Sequence, residues 1–176
     1  MNIIITLLLV LAGIITLLLL MALFMKREHF VKREIIINAP RQKVFDYVKL
    51  LKNQETFNKD AMADADRKKE FKGTDGTVGY IYAWSGNKNA GVGEKEIKNI
   101  VEGKRIETEI RFVKPMVATA SIIMDTESVS ADQTRVSWSN AGTLQYPLNI
   151  MIPILEKSVA KGMDSSLSTL KNILEN

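Results

Sequence analysis

The structure of the stretch GTVGYIYAWSGNKNAGVGEKEI, residues 76–97, decides the fold. Three different structures could account for its sequence. Its glycines suggest a phosphate-binding loop, its carboxylates an active-site strand, and its alternating aromatic residues one wall of a cavity. A Walker loop needs Gly-x-x-x-x-Gly-Lys-Ser/Thr, and a dinucleotide loop needs Gly-x-Gly-x-x-Gly between a strand and a helix. Neither spacing occurs here, and strand-like sequence flanks the run on both sides. The stretch therefore predicts a β-hairpin, in which SGNKNAG provides the turn and Gly93 permits a bulge or bend.

The aromatic residues of the hairpin are predicted to share one strand face. Val78, Tyr80, Tyr82 and Trp84 alternate along the sequence, and alternate residues of a strand point to the same side. They either pack in the core of the sheet or line a ligand cavity, where tyrosine hydroxyls and a tryptophan N–H would serve as polar anchors. The same two alternatives hold for Trp138.

The chain around the hairpin predicts further strands followed by one long helix. A strand precedes Pro40, which is well placed to begin a helix carrying Val44 and Phe45, and a short second helix follows it. The final helix is predicted from about residue 147 to 176, with Pro153 either kinking it or marking its start. The predicted strands of the sheet cover residues 66–73, 76–86, 91–103, 104–115, 116–129 and 132–142, joined by short turns that favour an antiparallel meander.

The N-terminal segment, residues 2–25, is uncharged and predicts a transmembrane helix. About 23 helical residues span roughly 35 Å, enough for a bilayer core with some tilt. A cleaved signal peptide is the alternative, but it needs a positive segment before the apolar run and a small-x-small cleavage site. LFMKREHF offers no such site. We therefore predict a retained helix in residues 1–26, contacting the lipid bilayer through residues 2–25, and a second domain in residues 27–176.

Positive charge after the apolar run predicts the orientation. Lys26, Arg27, Lys32 and Arg33 follow it closely, and the positive-inside rule then places the C-terminal domain in the cytoplasm. The expected location is a bacterial-type inner (plasma) membrane, crossed once.

Composition excludes several classes of site. Lys and Arg total 24 against 20 Asp and Glu, a net charge of +4 that is dispersed along the chain. Nucleic-acid binding is not expected, because it normally requires clustered basic residues. The chain has no cysteine, and its one histidine, His29, is predicted to lie in a polar link outside the domain. We predict no catalytic residue, no metal site and no cofactor, because a zinc site or a Ser-His-Asp triad lacks the residues it needs.

The order of these elements resembles the START-like (SRPBCC) superfamily, the helix-grip fold. The matching pieces are REIIINAPRQKVFDYV, GTVGYIYAW with GVGEKEI, KRIETEIRFVKP, TRVSWSNAG and a last helix carrying LSTLKNILE, together covering about residues 30–176. This group includes polyketide cyclase/dehydrase-like, lipid-transfer and birch-pollen-allergen-like proteins. The resemblance implies an α+β fold, with a curved antiparallel sheet of about six or seven strands around a long C-terminal helix. The chain departs from the family in its membrane helix and in having only Phe57 where a pair of aromatic residues is common.

A cavity between the sheet and the last helix is the predicted ligand site. We expect it to bind a hydrophobic or lipid-like small molecule while the N-terminal helix tethers the domain to the membrane. The small residues of the last helix have two interpretations. They lie at the surface or at a close helix–sheet contact, or they leave room for that ligand. These residues are Ser158, Gly162, Ser165 and Ser166. The candidate cavity residues are Tyr80, Tyr82, Trp84, Ile110, Phe112, Trp138, Met163 and Leu167.

Two other functions stay open. One is a polyketide cyclase/dehydrase-type enzyme, for which Glu94 and Glu96 are weak acid/base candidates because both lie on one strand face. Alternation with Lys95 and Lys98 favours a solvated face instead. The other is a tethered protein-interaction module whose cavity is closed.

Overall fold

The computed structural model describes residues 2–64, 66–87 and 91–176. Residues 88–90, part of the predicted hairpin turn, lie outside these ranges. The helices are α1 (Ile3–Phe24), α2 (Arg41–Val48), α3 (Leu51–Phe57), α4 (Lys59–Met62) and α5 (Ile152–Glu175), with a 3₁₀ turn at Leu148–Met151 before α5. The strands are β1 (Glu28–Ile37), β2 (Lys68–Lys72), β3 (Ile81–Ser85), β4 (Val92–Val101), β5 (Arg105–Lys114), β6 (Ala118–Ser130) and β7 (Gln133–Thr143).

The strands form one seven-stranded sheet in the order β1-β7-β6-β5-β4-β3-β2. Every neighbouring pair is antiparallel, so β2 to β7 are a meander and β1 joins its last strand. The long helix α5 packs on one face of this sheet, next to β1 and the small helices α3 and α4. This confirms the predicted α+β helix-grip architecture.

The core lies between α5 and the inner face of β1, β5, β6 and β7. Met163, Leu167 and Leu170 of α5 are buried in one cluster with Val136 and Met124. Their spacing puts them on one face of the helix, and burying each such side chain stabilises the fold by about 1.5–3 kcal/mol.

The hairpin of β3 and β4 confirms the turn interpretation of the glycines. Gly86 N–H donates to the Gly91 carbonyl (2.8 Å), and Gly91 has φ +66°. The pairing of β4 with β5 shifts between Val92 and Gly93. A Cβ on Gly93 would come within 2.7 Å of the Arg111 carbonyl oxygen and 2.8 Å of the Trp84 ring. Gly93 therefore allows both the bulge and the close approach of Trp84.

One predicted strand begins later than expected. Val78 was grouped with Tyr80 on a strand face, but it lies in a turn and is 61 % exposed. Gly76 and Gly79 both adopt positive φ, and this turns the chain before it joins the sheet. Pro153, in the first turn of α5, marks the start of that helix.

Helix α1 is the one helix in the described residues that is long and apolar enough to cross a membrane, by length and composition. Its C-terminal end is attached to the domain through Asn149, which is fully buried. The Asn149 amide donates to the carbonyls of Ala22 (2.6 Å) and Met25 (3.0 Å), and Leu144 N–H donates to the Arg27 carbonyl (2.8 Å). These bonds satisfy carbonyls that a helix end otherwise leaves free.

Candidate functional site

A cavity of about 420 Å³ lies between α5 and the sheet. We call it the apolar chamber, since aliphatic and aromatic side chains make up most of its wall. Its volume falls in the usual range of small-molecule sites. One face of α5 forms its roof, through Leu155, Ser158, Val159, Gly162, Met163 and Ser166 at helical spacing.

Small residues on α5 leave the chamber open. A Cβ added to Gly162 would meet no atom within 4 Å. Ser158 and Ser166 border the same space, and Ser166 Oγ donates back to the Gly162 carbonyl (2.8 Å), which keeps that hydroxyl close to the helix. Ser165 is exposed and does not border the chamber. Three of the four small residues thus lie over the cavity, as one of the two sequence interpretations expected.

Four of the predicted cavity residues border the apolar chamber, three of them on the sheet and one on α5. Ile110 and Phe112 of β5 and Trp138 of β7 border it, opposite Met163. The buried Trp138 Nε1 has no hydrogen-bond partner among the described residues. Such a group costs free energy unless something accepts its hydrogen.

His29 also borders the apolar chamber, and its predicted position outside the domain is wrong. It lies in β1 and is only 7 % exposed. Its Nε2 is 3.0 Å from Asn140 Oδ1, while Nδ1 is buried without a partner in the described residues. Gly142 makes room for the ring, since a Cβ there would lie 2.6 Å from it. The signal was available: β1 alternates, so His29 shares a face with Val31.

A second cavity of about 290 Å³ adjoins the first, and we call it the polar chamber. Tyr82 and Trp84, two further predicted cavity residues, border it together with charged side chains. The two chambers are neighbouring parts of one space, because five residues border both of them. These residues are Asn58, Asp60, Ile110, Phe112 and Ile122.

Sequence reasoning missed the charged side chains of the polar chamber, of which Lys95 is the most deeply placed in the sheet. It is 8 % exposed, and its Nζ donates to Gln54 Oε1 (2.5 Å). The Gln54 amide in turn donates to the Val48 carbonyl (2.8 Å), which fixes its orientation. Burial lowers the pKa of Lys95 to about 8, although Glu55 nearby opposes the shift. Strand alternation could have found it, since Lys95 faces the opposite side of β4 from Glu94 and Glu96.

An ion-paired group completes the wall of the polar chamber. Arg67 donates to the Tyr82 hydroxyl (2.9 Å) and to Glu55 (2.5 Å), and Lys69 lies 3.1 Å from the second Glu55 oxygen. Burial, and secondarily the neighbouring Glu55, raises the pKa of Tyr82 well above its usual value.

Two predicted cavity residues lie elsewhere. Within the described part of the chain, Tyr80 and Leu167 border neither chamber. Tyr80 stacks on Phe71 at 6.4 Å between ring centroids, and burial raises its pKa to about 12. Leu167 packs in the core under α5.

The weak acid/base candidates lie on the outer face of the sheet. Arg111 donates to Glu94 (2.8 Å), to Glu96 (2.8 Å) and to Glu109. Hydrogen bonds from Arg111 and Lys98 hold the pKa of Glu96 below its usual value. Neither Glu94 nor Glu96 borders the two chambers. No cluster of three or more His, Cys, Asp or Glu suited to a metal occurs in residues 2–64, 66–87 and 91–176.

Comparison with known proteins supports the fold. No protein-family model and no curated protein matches this sequence. Among solved structures, norcoclaurine synthase from Thalictrum flavum is similar, with a TM-score of 0.63, 12 % identity, and coverage of 85 % of this chain and 88 % of that one. Protein CV1439 from Chromobacterium violaceum has a TM-score of 0.62 at 14 % identity over 84 % and 98 % of the two chains. Ara h 8.0201 has a TM-score of 0.53 at 15 % identity over 81 % and 98 %.

These similarities establish a helix-grip fold for this chain. At such low sequence identity they show the fold alone, and a fold of this kind supports many functions.

Proposed function

We propose that this protein binds a hydrophobic or amphipathic small molecule in the apolar chamber, while α1 holds the domain at a membrane. The observation that carries the proposal is the apolar chamber itself, a space of about 420 Å³ kept open under α5 by Gly162 and Ser158. Apolar burial would drive binding at about 25 cal/mol per Å². Trp138 Nε1 and His29 Nδ1, which have no partner in the part of the chain that the structure describes, add a reason for a polar group on the ligand.

The position of the chamber relative to α1 supports a ligand that comes from the bilayer. Leu144 and Leu155 border the chamber. Leu144 also bonds to the chain just after α1, and Glu156 forms an ion pair with Lys26 (2.7 Å). The chamber therefore reaches the end of the domain at which α1 enters.

Exposed apolar side chains surround that end. We call this set the apolar rim, and Val117 is its most exposed member at 85 %. Exposed apolar patches on a soluble surface usually mark an interaction site. Continuity with the end of α1 indicates lipid as the partner. The rim consists of Met116, Val117, Tyr146, Leu148, Met151 and Ile154.

The domain is proposed to lie in the cytoplasm, because Lys26, Arg27, Lys32 and Arg33 follow α1. A C-terminal reporter that is active only in the cytoplasm should be active on this protein. Activity only on the other side of the membrane would reverse the proposed orientation.

Photo-crosslinking tests the proposed binding site. The full chain in lipid nanodiscs is exposed to a long-chain alcohol bearing a diazirine, and the crosslinked peptides are identified by mass spectrometry. We expect label on Met116, Trp138 or Met163. Gly162→Leu should reduce it strongly by intruding into the chamber, and Gly162→Ala, which adds only a Cβ, should retain it. Equal labelling of all three proteins would reject the chamber as the site.

A second candidate function is a cyclase/dehydrase-type enzyme, and the polar chamber is the observation that favours it. Tyr82 and Lys95 both border that chamber with shifted pKa values, as groups in active sites often do. An enzyme of this type would take its substrate from the membrane and convert it chemically. Tyr82→Phe should then stop the conversion without reducing crosslinking by the alcohol probe.

A further inference from the structure

We propose that the ligand is an amphiphile with an acidic head, that the polar chamber receives this head with Lys95 as its counter-ion, and that the tail occupies the apolar chamber. This inference rests on the proposed binding function and specifies the class of ligand. The shared chemistry of the head is a carboxylate or phosphate group.

Among the described residues, Lys95 has no counter-ion. No carboxylate of the described residues lies within ion-pairing distance of its Nζ, and its one hydrogen-bond partner is the neutral amide of Gln54. An ammonium group that is buried without an opposite charge is costly. Proteins usually pair such a group or use it to bind a ligand.

Glu55 is the nearest carboxylate that could serve as counter-ion to Lys95, but other cations already pair with it. Arg67 holds one oxygen at 2.5 Å, and Lys69 lies 3.1 Å from the other. Asp60 also borders the chamber but is exposed to solvent. Glu55 is thus shared by Arg67 and Lys69, and no carboxylate of the described residues is left within pairing distance of Lys95.

The depressed pKa of Lys95 agrees with this picture. Desolvation is its main cause, and the Coulombic effect of Glu55 does not compensate for it. A bound anion would supply the missing negative charge and favour the ammonium form. Charge-assisted hydrogen bonds of this kind are about twice as strong as neutral ones.

The tail follows from the connection between the chambers. Ile110, Phe112 and Ile122 border both of them, so a head beside Lys95 directs an attached chain toward Trp138 and α5. The polar chamber is the smaller of the two and contains the charged side chains Glu55, Arg67 and Lys95, whereas the apolar chamber offers the surface that an alkyl chain requires.

Two probes that differ only in the head test the inference. A diazirine-bearing long-chain alkyl phosphate is compared with the alcohol of the same chain, using the full protein in nanodiscs at neutral pH. We expect half-maximal labelling by the phosphate at about a tenfold lower concentration. Lys95→Met should remove that preference while labelling by the alcohol persists, which also shows that the variant is folded. The control Lys98→Met should behave as wild type, because Lys98 is exposed and pairs with Glu96 (3.3 Å).

The outcomes separate this inference from the proposed function. Equal labelling of wild type by both probes, or an undiminished preference in Lys95→Met, would overturn the acidic head. Labelling by neither probe would overturn the binding function and this inference with it. Inorganic phosphate alone distinguishes a free anion from a head group. If it raises the melting temperature of wild type but not of Lys95→Met while the two long-chain probes label wild type equally, the site takes a free anion and the amphiphile is rejected.

Discussion

Lys95 is the side chain on which most of the chemistry of this site depends. Its fixed partner Gln54, the ion-paired Glu55 and Arg67, and the Tyr82 hydroxyl surround the polar chamber that it borders. Its burial has a consequence for stability that can be measured without knowing the ligand.

The unliganded protein should become more stable, relative to Lys95→Met, as pH rises from 8 to 10.5. Between the folded pKa of about 8 and the unfolded value of 10.5, the unfolded chain binds more protons at this residue, so stability increases with pH. The gain is on the order of 2–3 kcal/mol. Thermal unfolding of the delipidated full chain in detergent, at several pH values, measures it. Taking the difference between the two proteins cancels the titration of Tyr82 to first order.

Lys98→Met is the matched control for that experiment. Lys98 lies on the opposite face of β4 in contact with solvent, and its removal should leave the pH dependence of wild type unchanged. A pH-independent difference between wild type and Lys95→Met would show that Lys95 is not desolvated.

The sequence interpretation and the structure agree on where some side chains lie and differ on others for a physical reason. Ile110 and Trp138 were assigned to the cavity from alternation in clean strands, and the structure places both at the apolar chamber. Lys95 was assigned to a solvated face because lysine is rarely buried. His29 was assigned to a link because charged residues surround it. In both cases the two-residue periodicity of the strand was the better guide.

At the scale of single elements, α5 combines two tasks. Its stripe of Met163, Leu167 and Leu170 anchors it to the sheet, and Gly162 and Ser158 on the adjoining face keep the chamber open. A glycine in the middle of a helix lowers the stability of the protein, and the open cavity explains why a glycine is present at position 162.

Replacing Gly162 by alanine should therefore stabilise the protein by about 0.5–1 kcal/mol, since alanine favours the helix and its Cβ meets no other atom. Thermal unfolding measures the change as a higher melting temperature. A lower melting temperature would indicate that something already fills the space beside Gly162.

Asn149 attaches α1 to the domain and has its own test. Asn149→Ala removes both bonds to the carbonyls of Ala22 and Met25 in a fully buried site, which should cost about 1–3 kcal/mol. The segment that joins α1 to β1 should then be less firmly held, and trypsin should cut it faster after Lys26 and Arg27. Asn172→Ala, near the other end of α5, provides the control. Unchanged cleavage in Asn149→Ala would mean that other contacts fix α1.

Boundaries of the elements were less predictable than their order. The sequence indicated the meander and the final helix, because strand and helix periodicities differ clearly. It predicts a strand from residue 76, whereas β3 begins at Ile81, since alternation alone cannot show that Gly76 and Gly79 adopt positive φ.

At the scale of the whole molecule, the fold was predictable but the openness of the cavity was not. Hydrophobic patterning specifies a sheet around α5, whereas the volume left between them depends on how individual side chains such as Trp138 and Met163 pack. The proposed position of the domain at the membrane likewise combines α1 with the apolar rim, whose members are distant in sequence.

Site-directed spin labelling should show the apolar rim in contact with lipid. The chain has no cysteine, so single cysteines can be introduced at Val117 and Val129. Both valines are exposed, but they lie at opposite ends of β6, about 40 Å apart. In nanodiscs, a label at position 117 should be accessible to oxygen and shielded from a water-soluble relaxation agent, and a label at 129 should show the reverse.

Equal access of the water-soluble agent to both labels would show that the apolar rim does not contact the bilayer. The proposed ligand site would then still stand on its own evidence, because the crosslinking of the chamber does not depend on the orientation of the rim.

The central claim is that the apolar chamber holds a hydrophobic or amphipathic molecule, and extraction of the protein as purified tests it most directly. Organic extracts of the full chain, of Gly162→Ala and of Gly162→Leu are compared by quantitative mass spectrometry. The proposal predicts one class of molecule at close to one per chain in wild type and Gly162→Ala, and its loss in Gly162→Leu. Extracts that contain no enriched molecule, or the same amount from all three proteins, would contradict it.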